Sequence, residues 1–126
     1  TRTLKLILTG HHDTILSLAA SKSEEHLISG SADQRIKVWN FKTGMIRHTL
    51  HAHTDYVSSI RITEDNKLFS ASYDNTTKVW DLETYNLQRE FRFPGEAIKC
   101  VLVDPRTNSL FVSSTDKVIR RRTIHS

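Results

Sequence analysis

Hydrophobic and polar residues alternate along most of the chain, in short runs separated by turn-forming residues. Four such runs follow one another in the middle of the chain, at residues 56–63, 67–72, 76–82 and 87–93. Asp and Asn cluster between them, where their side chains can bond their own backbone in turns. A period of two residues is typical of half-buried β-strands. No segment has a helical period, so the sequence predicts an all-β fold.

The four-strand unit repeats along the chain with a period of 41 or 42 residues. His11 returns as His53 after 42 residues, and Asp33 returns as Asp74 after 41. In both copies a Trp follows the Asp by six positions. Several residue types kept twice in the same order indicate an internal repeat, which decides the architecture of a protein.

A third copy follows with fewer of the repeated residues. Residues 110–116 match the segment that ends at Asp74, whereas Pro94 stands at the position of His53 and Arg122 at that of Trp80. The repeat predicts one domain over residues 1–126. Its three units cover about residues 10–50, 52–92 and 93–126, and residues 3–9 are predicted to be an additional outer strand.

The repeat resembles the WD-repeat family of β-propellers, and the resemblance covers almost the whole chain. That family has a period of about 40–45 residues, four strands per blade and a Gly-His … Trp-Asp signature. Each of the first two repeats carries the signature with one substitution, as Gly10-His11 with Trp39-Asn40 and as Ala52-His53 with Trp80-Asp81. The resemblance implies blades of four antiparallel strands, about three in this chain.

The resemblance also implies a hydrogen-bonded set of four side chains in each blade. The first set is His11, Ser29, Asp33 and Trp39, and the second is His53, Ser70, Asp74 and Trp80. Buried polar groups need partners, so the role expected of these residues is structural. The third repeat has Pro94, Val112 and Arg122 at three of the four positions. Its blade is expected to be the least stable or to be supported from outside this chain, with Arg122 facing solvent or an acidic partner.

The ends of the chain are staggered relative to the blades. Residues 3–9 align with residues 45–51, the outer strand of the first repeat, and in closed propellers of this family such a strand completes the final blade. Three blades fall short of the four to eight that form a ring, and the chain begins with Thr1. We expect a segment of a larger propeller; the alternative is two copies that assemble into a six-bladed ring.

Metal binding and catalysis are not expected. Seven histidines are present, and His51 and His53 could lie on one side of a strand, but zinc needs further ligands and no Cys pair exists. A His-Ser-Asp set suggests a hydrolytic triad, yet this set repeats once per blade and its serine is expected to be buried. Only four glycines are present, and no phosphate-binding loop. We therefore expect no cofactor, no metal and no enzyme activity.

Net charge and cysteine content limit the partners and the cellular compartment that can be expected for this chain. The formal net charge is +4, scattered except for the triplet Arg120, Arg121 and Arg122. No apolar run approaches the roughly 20 residues that span a bilayer. One cysteine, Cys100, excludes an intrachain disulfide and favours a cytoplasmic location, with the nucleus as the alternative. Because Cys100 follows Ile98 with strand spacing in an apolar stretch, we expect it to be a small buried core residue.

The function expected is a non-catalytic scaffold for protein–protein interaction, within a larger WD-repeat protein or a multiprotein complex. The alternative is a basic surface that binds nucleic acid or anionic lipid. Exposed Tyr is enriched at binding hot spots, so Tyr56 and Tyr73 are the leading contact candidates, unless they pack on neighbouring loops. The resemblance points to the residues beside each network His and Asp, which are His12, Thr14, Ala32, Thr54, Tyr56, Tyr73, Ala97 and Thr115.

Overall fold

The computed structural model describes residues 6–21 and 26–125, and all the regular structure in these ranges is β-strand. The strands form three antiparallel sheets in sequence order. The first sheet contains β1 (Ile15–Ser21), β2 (His26–Ser31), β3 (Ile36–Asn40) and β4 (Ile46–Leu50). The second contains β5 (Val57–Ile62), β6 (Lys67–Ser72), β7 (Thr76–Asp81) and β8 (Leu87–Arg92). The third contains β9 (Ile98–Asp104), β10 (Ser109–Ser114) and β11 (Ile119–Thr123). The all-β prediction is confirmed.

The three sheets pack face to face around their first strands, β1, β5 and β9, which lie side by side. One apolar core lies between the first two sheets and another between the second and third. The second sheet contributes to both, because successive residues of a strand point to opposite faces. Leu68 packs toward the first sheet and Phe69 toward the third. These sheets are blades of a partial β-propeller, as the repeat predicted.

The turns after the second strands have the same backbone conformation in all three sheets. Gln34, Asn75 and Lys117 occupy equivalent positions after the second strand of each sheet, and their φ angles are 77°, 75° and 67°. Only Asn among these three tolerates this left-handed conformation well. The similar φ angles show that this turn of the third repeat has the same backbone geometry as the other two, although the third repeat lacks most of the polar network side chains.

Residues 6–14 contain no strand, and residues 3–5 of the predicted outer strand lie outside the described residues. Residues 6–10 instead lie against the first sheet. Leu6 and Leu8 approach Gly44, and a Cβ on Gly10 would meet Ile46 and Trp39 at 2.9 and 3.2 Å. A strand requires a hydrogen-bonded neighbour, and none is assigned to these residues within the described chain.

Cys100 is exposed, so the prediction of a buried core residue is wrong. The cause is a shift of register in β9, where Ser114 pairs with Ile98 and Ser113 with Cys100. The extra residue, Lys99, reverses the alternation, because a bulge leaves two residues opposite one. Ile98 and Val101 consequently face the core, and Cys100 points to the uncovered side of the third sheet.

Candidate functional site

The first polar network joins four residues that are far apart in the sequence. Trp39 Nε1–H donates to Ser29 Oγ at 2.8 Å, and His11 Nε2 lies 2.5 Å from the same hydroxyl. His11 Nδ1 lies 2.8 Å from Asp33 Oδ2. Because an indole only donates and a carboxylate only accepts, all bonds run in one direction. The serine hydroxyl donates to Nε2, and Nδ1–H donates to the aspartate.

The second network has the same connections in the second sheet. Trp80 Nε1–H donates to Ser70 Oγ at 2.9 Å, Ser70 lies 2.9 Å from His53 Nε2, and His53 Nδ1 lies 2.8 Å from Asp74 Oδ2. The structure thus brings together all eight residues of the two sets. The sequence reasoning did not include Thr76, whose hydroxyl donates to Asp74 Oδ1 at 2.6 Å.

Each network aspartate also holds the backbone of two loops. Asp33 accepts the N–H groups of His12 and Arg35 at 3.0 and 2.9 Å. Burial raises the pKa of Asp33, but hydrogen bonds from His12 N–H, the His11 ring and Arg35 N–H outweigh it and lower the pKa below 3.8. For Asp74 burial is likewise opposed, chiefly by His53 and Thr76, and its pKa falls well below the same value. Both carboxylates are therefore charged throughout the physiological range.

These lowered pKa values predict a loss of stability in acid. A carboxyl group with a lower pKa in the folded state stabilises that state above the unfolded pKa and loses the contribution as the pH falls. We expect the free energy of unfolding to decline as the pH falls below about 4. Urea titrations at pH 7, 5, 4 and 3 measure this. Asp74→Asn should give a shallower decline, and equal slopes in both proteins would contradict the prediction.

The third sheet has a different polar set at the corresponding turn. Asp116 stands at the repeat position of Asp33 and Asp74 and accepts the N–H of Val118 at 3.2 Å. Ser114 Oγ donates to the same oxygen, Oδ1, at 2.7 Å, and the second oxygen, Oδ2, lies 2.6 Å from Arg120 Nη2. The Arg120 and Ser114 hydrogen bonds lower the pKa of Asp116. The repeat alignment already included Asp116, but nothing in it indicated that an arginine four residues later would replace the histidine.

The Trp position of the third repeat shows an exchange of large and small residues. Trp39 packs beside Gly10, and Trp80 shares a core cluster with Ala52. In the third repeat the small residue becomes Phe93, and the Trp becomes Arg122, whose guanidinium lies 4.8 Å from the Phe93 ring centre. Arg122 is exposed, as expected. Its cation covers an aromatic ring at the place where the other repeats have an indole next to a small residue.

The candidate contact residues meet in pairs at one end of the sheets. In each sheet one backbone hydrogen bond joins the loop before the first strand to the turn after the second. Tyr73 N–H donates to Tyr56 O at 3.0 Å, and the two rings lie 5.4 Å apart. Tyr56 is exposed and Tyr73 is half-buried, and the exposed loop residues beside them are His12, Thr14, Thr54 and Thr115. Ala32 is buried, so it offers a partner little surface. The same bond joins Ala32 to Thr14 and Thr115 to Ala97.

The arginine triplet of β11 does not form a free basic patch. Arg120 pairs with Asp116, Arg121 Nε donates to Ser109 Oγ at 2.8 Å, and Arg122 donates to a backbone carbonyl at 2.7 Å. Neighbouring side chains of a strand also point to opposite faces. The three cations are therefore divided between two surfaces and engaged within the chain.

Across residues 6–21 and 26–125, no three or more His, Cys, Asp or Glu side chains are grouped so that they could hold a metal ion. The same residues contain no helix with the length and apolar character that a membrane crossing requires.

Two four-stranded sheets with the same network, packed with a third related sheet around their first strands, define a β-propeller repeat protein. The family model described as "WD domain, G-beta repeat" matches residues 2–40 and 44–81, and the chain belongs to this WD-repeat family. Each match begins before the first strand of a sheet and ends at its third, β3 or β7. The matched residues end before the third repeat.

Curated relatives share this family but are much longer proteins. Apoptotic protease-activating factor 1 of Mus musculus is 33% identical over 99 residues, which cover 78% of this chain and 8% of that protein. The retinoblastoma-binding protein 5 homolog of Drosophila melanogaster is 37% identical over 95 residues, 75% of this chain and 19% of that protein. Autophagy-related protein 16 of Arabidopsis thaliana is 34% identical over 82 residues, 64% and 16% respectively.

Proposed function

We propose that this chain is a non-catalytic scaffold that binds a protein partner at the loop end of its sheets. WD-repeat proteins generally bind other proteins, and one relative is named as a homolog of retinoblastoma-binding protein 5. The observation that carries the proposal is the Tyr56–Tyr73 pair. Tyr56 is 43% exposed, and its ring sits on loops that the networks hold rigidly. Rigid, exposed aromatic rings are typical of binding hot spots.

The buried position of the network serines argues against hydrolysis. Ser29 is 1% exposed and Ser70 is fully buried. Each hydroxyl already accepts a bond from a Trp N–H and lies beside a His nitrogen. A nucleophile must reach the carbonyl it attacks, and these two cannot do so without opening the sheet. The networks therefore act as supports that keep the binding loops in place.

Substitution of the two tyrosines tests this proposal. We expect Tyr56→Ala and Tyr73→Ala each to weaken partner capture by about tenfold or more, since hot-spot truncations cost at least about 2 kcal/mol. The melting temperature should change little. Phe41→Ala is the matched control, because Phe41 is 39% exposed on the β3–β4 turn at the opposite end of the first sheet.

The measurement is quantitative mass spectrometry of proteins captured from an extract of the source organism by each variant. A partner retained by the wild type and by Phe41→Ala, but lost from both tyrosine variants, supports the proposal. A partner that both tyrosine variants retain in full would rule out this surface. Unfolding of the tyrosine variants would instead assign the rings to the core.

A further inference from the structure

The loop end of the sheets carries a charge opposite to that of the chain as a whole. This end consists of the loops before the first strands and the turns after the second strands, at residues 11–14, 32–35, 53–56, 73–76, 94–97 and 115–118. Six Asp or Glu residues and two Lys or Arg residues stand there, so the formal charge of this end is −4, whereas that of the whole chain is +4. A partner that approaches the Tyr56–Tyr73 pair therefore meets a negative potential on a basic protein.

Three of these carboxylates occupy the same repeat position at the starts of neighbouring strands. Asp13, Asp55 and Glu96 each lie two residues before the first strand of a sheet, and those strands lie side by side. Within the described residues neither Asp13 nor Asp55 forms an ion pair, whereas Glu96 accepts a hydrogen bond from Thr115 Oγ1 at 3.2 Å. Asp13 and Asp55 therefore keep a charge that a bound cation can neutralise.

The Asp55 carboxylate belongs to the same loop as the exposed tyrosine. Asp55 Oδ1 accepts the Tyr56 N–H at 2.8 Å, which holds the carboxylate beside the residue whose side chain is 43% exposed. The Tyr73 ring lies 5.4 Å from the Tyr56 ring at an angle of 31°. A cation is attracted both by the face of an aromatic ring and by a carboxylate. This loop offers both kinds of contact together.

The two cations of the loop end do not pair with Asp55. Arg35 is half-buried, and its Nη1 donates to the Asp33 carbonyl at 3.4 Å. Lys117 lies in the turn after the second strand of the third sheet. Among the residues that the structure describes, neither cation forms an ion pair with the Asp55 carboxylate. The surface around Tyr56 thus favours a positively charged ligand.

We infer that the protein partner presents a basic segment to this surface, with an arginine that binds at Tyr56 and Asp55; the inference rests on the proposed function and names the chemistry of the partner. A guanidinium is planar, so it stacks on an aromatic ring and pairs with a carboxylate through two hydrogen bonds. A lysine can make the ion pair but lacks the planar fork. An acidic segment would meet like charges, which suppress binding.

Short synthetic peptides test the sign of the charge. Labelled peptides with a Gly-Ser background carry Arg, Lys or Glu at alternate positions, and fluorescence anisotropy measures their binding to the 126-residue chain. We expect the Arg peptide to bind at least about tenfold more tightly than the Glu peptide, with the Lys peptide between them. Because the whole chain is positive, nonspecific attraction would favour the Glu peptide instead.

Three variants locate the binding. Asp55→Asn should weaken binding of the Arg peptide by about threefold to fivefold, while its amide oxygen can still accept the Tyr56 N–H and preserve the loop. Tyr56→Ala should weaken it by about fivefold. Asp65→Asn is the matched control, because it removes the same charge from the exposed β5–β6 turn at the other end of the sheet. It should bind the Arg peptide as the wild type does.

Two results would overturn the inference. One is an Arg peptide that binds no more tightly than the Glu peptide. The other is an Asp65→Asn variant that weakens binding as much as Asp55→Asn, which would mean that only the overall charge matters. Loss of a captured partner from both tyrosine variants would still support the scaffold surface in either case, so a failure of this inference can be told apart from a failure of the proposed function.

Discussion

Trp80→Ala is expected to lower the free energy of unfolding by about 3–5 kcal/mol, the usual cost of truncating a buried aromatic side chain. Trp80 lies in the core between the first and second sheets. Its removal leaves a cavity at that interface and deprives Ser70 Oγ of the indole donor. Equilibrium unfolding in urea, followed by circular dichroism, measures the change.

Trp80→Phe is the matched control because it keeps an aromatic ring and removes only the N–H donor. It should cost clearly less than Trp80→Ala, and the difference reports packing. A loss below about 1 kcal/mol for Trp80→Ala would mean that the interface collapses around the missing ring. Such a small loss would also contradict the assignment of Trp80 to the apolar core between the first and second sheets.

Asp74→Ala is expected to lower the free energy of unfolding by about 1–3 kcal/mol, because it leaves buried donors without a partner. The carboxylate accepts bonds from the His53 ring and from the backbone N–H groups of Thr54 and Thr76. Thr76 Oγ1, 3.2 Å from His53 Nδ1, can replace the carboxylate for the imidazole, but the Thr76 N–H loses the acceptor that it has in the wild type. The same urea titration measures this loss.

Asp65→Ala provides the comparison for Asp74→Ala. Asp65 lies in the exposed β5–β6 turn at the other end of the same sheet, and its loss should stay within about 0.5 kcal/mol. Asp74→Asn should fall between the two, since an amide oxygen can still accept one bond. If Asp74→Ala matched Asp65→Ala, the network would contribute nothing measurable to stability.

The strands and the two networks could be predicted because the repeat supplied the same information twice. Each strand of the second sheet lies within one residue of its predicted ends. The pairing of His11 with Asp33, or of His53 with Asp74, required the family resemblance, since no spacing rule predicts contacts across 21 or 22 residues. A single copy of the repeat would have predicted neither the strand register nor the hydrogen-bond partners of the network residues.

The alternation pattern failed where a local irregularity changed the face of a residue. Cys100 was predicted from Ile98 by simple alternation, and one extra residue in β9 moved it to the other side of the sheet. The same irregularity occurs in β1 and β5, between Ile15 and Ser17 and between Val57 and Ser59. An alignment of the three first strands would have revealed the face of Cys100, because Cys100 aligns with Ser59, whose hydroxyl faces the next sheet; among the described residues no sheet covers that face of the third sheet, so Cys100 is exposed.

The third repeat could not be predicted in detail, since its substitutions are coupled in space. Arg122 appeared as an unpaired charge in the sequence, and only the structure brings it over Phe93. Likewise Arg120 appeared as part of a basic triplet, whereas it completes the turn around Asp116. In each contact an arginine makes an interaction that replaces part of the missing network. Because these cations are engaged within the chain, the hypothesis of a basic surface that binds nucleic acid is less favoured.

The exchange of a buried network for the Arg120–Asp116 pair has a consequence for how this chain responds to its medium. Both side chains are partly exposed, and dissolved ions weaken attraction between such charges. The histidine networks are enclosed and feel far less screening. Higher ionic strength therefore weakens the Arg120–Asp116 contact that holds the last hairpin, whereas the enclosed histidine networks of the first two sheets keep their strength.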